Sequence, residues 1–219
     1  TGSPFDAELV PDQSRILRDI AQDFWRLNVC PAPVEFIAYA WEELKGPSRF
    51  MELLAKIKSP GVAIIPALTA GGLDHLERYR DAFNRLRIAW PQTRAEAVEI
   101  LKAAALDGRN YGSLASAGAA SALTRRDLTI TALTESMDAF LSAPVPAFPP
   151  FKRFNCFSSE FLAAKTRPRQ AVPRHAVFDL CQQVLEEAVA LEGEMGRHLS
   201  HNKVHMIELA RSELDRRKQ

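Results

Sequence analysis

His198, His201 and His205, with Glu194 one turn ahead, recur at steps of four, three and four residues. On a continuous helix at 100° per residue, these four side chains fall within an arc of roughly 60°. Imidazoles and a carboxylate so aligned are ligands for Zn²⁺ or another divalent transition metal, and Glu208 extends the same face. A catalytic centre needs a further ligand from another helix, as in helical-bundle metalloenzymes; His75, His175 and Asp179 are the candidates. The row lacks the glutamate that follows the first histidine of the His-Glu-x-x-His protease signature. Without a metal it is a polar face, with Glu194 or Glu208 as partners, whose packing responds to pH near about 6–7.

A second group of residues suits recognition rather than reaction. Between residues 144 and 174 stand Lys152, Arg153, Lys165, Arg167, Arg169 and Arg174 against one acid, Glu160, a net of +5 that leaves −4 for the rest of a +1 chain. Arg167-Pro168-Arg169 and Pro173-Arg174 hold cations on a stiff, solvated backbone. That suits phosphate contacts, where arginine offers a planar fork. Five phenylalanines precede or enter the segment, at Phe148, Phe151, Phe154, Phe157 and Phe161. Their spacing predicts a helix over 150–164 with Phe151, Phe154, Phe157 and Phe161 on one side. Each ring is worth roughly 1.5–3 kcal/mol when buried, so the row is either a core stripe or an apolar anchor in a partner's groove. Rings beside cations also serve single-stranded nucleic acid by stacking bases above a charged track.

No other motif carries chemistry. There is no GxxxxGK[ST] loop, no GxGxxG, no GxSxG elbow and no CxxC pair, so no catalytic residue is assigned. Cys30, Cys156 and Cys181 are too few and too scattered for a disulfide framework, which fits a reducing, intracellular and cytoplasmic compartment. Cys156 and Cys181 read as packing residues. A net charge of +1 gives no global field toward nucleic acid or an anionic membrane, so any such contact is local. No segment approaches the roughly 18 uninterrupted apolar residues of a membrane helix.

The elements that must position these groups are helical. Ile16, Leu17, Ile20, Phe24 and Leu27 mark a first helix, and Val34 to Leu44 a second, stopped by Gly46-Pro47. A third runs from Ser48 to Ser59-Pro60-Gly61. Val62 to Ile65 has no strand to pair with and reads as a buried turn or short helix. A charged helix over 73–88 follows, then a capping-box start at Thr93-x-x-Glu96 for another over 93–106. Gly108, Gly112 and Gly118 mark a turn and a short close-packed helix. Thr124-x-x-Asp127 starts a helix reaching Leu141. Pro144 to Pro150 is an extended connector, and two helices, 174–199 and 202–217, close the chain.

The expected fold is all-α, about eight to ten helices, with an N-terminal lobe 1–142, a connector 143–150 and a C-terminal section 151–219. The expected function is a soluble, non-enzymatic binding or assembly module without a cofactor. Its partner is a protein, another copy of itself, or RNA or single-stranded DNA met by the local basic patch, and not a membrane. A metal-dependent bundle enzyme and a purely structural helical scaffold are the alternatives.

Overall fold

The apolar steps of the sequence become helices throughout the computed structural model, which describes residues 13–57, 72–118 and 123–216. Those residues form eight α-helices and no strand, in agreement with the all-α expectation. In chain order they are α1 (Gln13–Phe24), α2 (Val34–Leu44), α3 (Ser48–Ile57), α4 (Asp74–Ala103), α5 (Gly108–Tyr111), α6 (Arg125–Ser142), α7 (Ser159–Lys165) and α8 (Ala176–Arg216). The Ser59-Pro60-Gly61 stop and the Val62 to Ile65 stretch lie outside the described residues. No described helix is long and apolar enough to cross a membrane.

The chain divides into two compact units, Thr1–Gly71 with Met195–Gln219, and Gly72–Glu194. Residues 143–150 lie within the second unit. In the first unit, α1 continues into a π-helical turn, Trp25–Val29. Its buried side chains meet α3 through Phe50, whose ring lies 5.8 Å from both Phe24 and Trp25, edge-on. Edge-to-face geometry is the preferred aromatic contact. The α2 helix ends where Lys45 (φ 50°) and Gly46 (φ 79°) turn left-handed, a C-terminal stop that suits glycine.

In the second unit α4 packs on α6. The expected break at Thr93 does not occur: α4 is one helix of 30 residues with Pro91 inside it. Thr93 is not a cap, and its hydroxyl donates back to the Ala89 carbonyl at 3.0 Å. Contacts around the proline hold the helix together. The Trp90 indole donates to Asp138 at 2.7 Å and Arg94 grips the same carboxylate with bonds of 2.8 to 3.1 Å. These oppose the roughly 3 kcal/mol that an interior proline costs. Thr124 and Asp127 do form a reciprocal capping box at the start of α6.

The two expected C-terminal helices are likewise one, α8, of 41 residues. Its buried stripe, Val177, Cys181, Val184, Ala188, Leu191, Met195, Leu199, Met206 and Ala210, keeps helical spacing across Gly193 and Gly196. Burial along that stripe outweighs about 1 kcal/mol per interior glycine.

Candidate nucleic-acid interface

The phenylalanine row does not form a single helix. Phe154–Phe157 is a 3₁₀ turn, Ser158 is extended (ψ 142°), and α7 starts at Ser159. Tertiary partners pull the rings apart. Phe154 sits against Phe140 of α6 at 5.4 Å, and Phe157 against Trp90 of α4 at 5.6 Å. Both are buried. Phe151 and Phe161 are only half-buried, Phe151 lying edge-on to Phe140 and Phe154. The row thus contributes two core rings and two that retain exposed surface.

Downstream, α7 delivers the basic segment onto the turn after α4. Thr166 forms an isolated antiparallel bridge with Leu106. The Asp107 N–H donates to the Lys165 carbonyl at 2.9 Å, and the Arg167 N–H to the Ala105 carbonyl at 2.9 Å. Beneath this pairing lies Arg126, only 3% exposed. Its guanidinium donates to the carbonyls of Ala104 at 2.6 Å and Leu106 at 2.8 Å, and its Nε has no acceptor. Burial first, and the nearby Arg167 cation second, bring Arg126 below its usual pKa. Arg126 is therefore a structural cation that braces the 104–107 turn.

Asp107 caps α5, accepting from the Asn110 N–H at 2.9 Å and from the Asn110 amide. Burial works to raise its pKa, but those hydrogen bonds, with Lys165 nearby, bring it below the usual carboxylate value. Arg153 reaches the same helix by donating to the Asn110 carbonyl. Arg153, Lys165 and Arg167 are thereby gathered around one turn. Arg109 of α5, exposed beside them, was not picked out from the sequence. Its only local signal is the Asp-Gly cap at 107–108, and nothing in the spacing links that cap to residue 165.

Arg169 stands at the outer end, in a turn closed by the Gln170 N–H to the Arg167 carbonyl at 3.2 Å. Its φ is 65°, a conformation that L side chains rarely adopt. Lys152 and Arg174 are exposed. None of Lys152, Arg153, Lys165, Arg167, Arg169 and Arg174 forms an ion pair with an acid among the described residues. Elsewhere Arg26, Lys45, Arg49, Arg80, Arg94, Lys102 and Arg216 each do, while Arg78, Arg85, Arg87 and Arg109 do not among the same residues.

The histidine face is packed against aromatic rings. Among the described residues no three His, Cys, Asp or Glu side chains are grouped to hold an ion. Each imidazole is instead packed: His198 is edge-on to Phe36 at 4.8 Å, and His205 edge-on to Phe24 at 5.5 Å with His201 at 6.3 Å. Glu194 accepts from the His75 N–H at 2.9 Å. His75 and His175 face other carboxylates, Glu187 at 2.6 Å and Glu96 at 3.4 Å. Cys156 and Cys181 are buried, and burial raises both thiol pKa values, which keeps them protonated packing residues.

No family model matches the chain. It is similar to the RecBCD enzyme subunit RecB of Escherichia coli (strain K12), 21% identical over 197 residues, covering 87% of this chain and 15% of RecB.

Proposed function

We propose that this chain is a non-enzymatic helical binding module whose basic segment contacts the phosphates of a nucleic acid strand. One observation carries the reading: six cations are concentrated in 144–174 against one acid, and none of them has an acidic partner among the described residues. A surface cation paired within its own chain gives up little by staying there, whereas unpaired arginines offer forks to phosphate oxygens. The buried Arg126 and the bridge at Thr166 fix the backbone beneath Lys165 and Arg167, so less order must be gained on binding. The left-handed Arg169 adds a second support, because backbone strain is retained where a side chain's placement matters. Similarity to a stretch of an enzyme subunit is consistent with a module that works inside a larger assembly.

The test is a salt titration of binding to a single-stranded oligonucleotide, read by fluorescence anisotropy. The logarithm of affinity should fall linearly with that of salt concentration, by about 0.7 per phosphate contact. No measurable affinity at low salt would overturn the reading. Equal binding to polyglutamate would instead assign the segment to an acidic protein partner.

A further inference from the structure

Beside the basic segment, a cleft of about 350 Å³ is lined by Asn155, Ser158, Glu160, Phe161, Gln182 and Leu185 among others. Its size lies at the low end for small-ligand pockets, room for one flat ring system. Phe161 retains exposed surface there, with the Lys165 ammonium 5.2 Å from its ring centroid. Leu185 of α8 also lines the cleft. The Asn155 amide makes no hydrogen bond among the described residues and offers both a donor and an acceptor. Gln182 is already committed, accepting from the Glu160 N–H at 3.4 Å and donating to Glu186 at 3.0 Å.

We infer that this cleft takes one unpaired base of the strand, stacked on Phe161 and read at its edge by Asn155, while Lys165 meets the adjoining phosphate. The inference rests on the phosphate-binding reading above and narrows its ligand to single-stranded nucleic acid. A π-face with an apolar wall suits any base, since stacking is tolerant of sequence. Lys165 links the cleft to the cationic track, because the same residue that lies over Phe161 is paired through its carbonyl to Asp107. Glu160, which also lines the cleft, is an acceptor for a base's exocyclic amine.

The experiment compares three labelled ligands of equal length at one low salt concentration: a single-stranded DNA, the same strand made abasic, and a duplex. The protein is the full chain, as wild type, as Phe161→Ala, Phe161→Leu and Phe161→Trp, and as the double variant Arg167→Gln with Arg169→Gln. Circular dichroism confirms that each variant keeps its helicity. Both Phe161→Ala and Phe161→Leu should weaken the base-bearing strand about five- to 160-fold, the value of one stacked base, and leave the abasic strand unchanged. Phe161→Trp should restore affinity, and the double arginine variant should weaken all three ligands alike. Equal loss on base-bearing and abasic strands, no loss on either, or duplex binding as tight as single-strand binding would overturn the base cleft while the phosphate track stands. Failure of the wild type to bind any strand would overturn both.

Discussion

Arg126 and Leu106 are joined by a 2.8 Å hydrogen bond from a guanidinium that is 97% buried to a carbonyl in the turn after α4. Charged donors to backbone are stronger than neutral ones, at roughly 1.5–3 kcal/mol each. Arg126→Met should therefore lower the unfolding free energy by about 2–3 kcal/mol, because the Leu106 carbonyl loses its donor and the Ala104 carbonyl keeps only the Leu106 N–H. Urea denaturation followed by circular dichroism measures it. Arg126→Lys should recover less than half of that loss, since an ammonium lacks the two-pronged reach. A loss under about 1 kcal/mol in the methionine variant would show that the turn is braced by other bonds.

Arg169 sets stability against binding. Its positive φ is relieved by glycine, so Arg169→Gly should raise stability by about 1 kcal/mol. The same variant should bind a single-stranded oligonucleotide several-fold more weakly and with a shallower salt slope. Paired denaturation and anisotropy measurements separate the two effects. If both stability and binding fall, the left-handed turn is not a site of strain.

Gly112 is required by geometry rather than by flexibility. Its φ is 78°, and a Cβ there would lie 2.5 Å from the Arg125 carbonyl oxygen. Gly112→Ala should destabilise by about 3 kcal/mol or more. At Gly118 an added Cβ meets nothing within 4 Å among the described residues, so Gly118→Ala should change thermal stability little. Similar losses in both variants would argue for a common effect of loop stiffness instead.

Acid should weaken the second unit through Asp138. Its hydrogen bond with Arg94 leads in lowering its pKa, burial opposes this, and the Trp90 indole and the Arg94 charge assist. A carboxyl with a depressed folded-state pKa takes up protons more readily unfolded. Its contribution is thus complete above the unfolded value of about 3.9 and is lost as pH falls below it toward the folded value. Stability measured from pH 7 to 3 should drop most steeply below about pH 4, and Asp138→Asn should flatten that drop. An unchanged slope in the variant would assign the acid sensitivity to other carboxyls, Asp107 and Asp127 being the next candidates, since both are also depressed.

Local chemistry determined which parts of this chain are helical and where several of those helices begin and end. Thr124-x-x-Asp127 caps α6, Gly46-Pro47 follows the end of α2, and apolar steps of three and four mark α1, α2 and α3, because all of these act within a turn or two of the backbone. The same cap pattern at Thr93 failed, because contacts from Trp90 and Arg94 to Asp138, more than forty residues away, keep α4 continuous across it. The phenylalanine spacing likewise promised one helix, yet Phe140 and Trp90 claim different rings and split it into a 3₁₀ turn and α7. The composition of the basic segment was plain in the sequence; its framework was not. The pairing of 165–167 with 105–107 brings Lys165 and Arg167 to the turn that carries Arg109, and Arg153 joins through the Asn110 carbonyl; hydrogen bonds between segments forty to sixty residues apart leave no periodicity to read.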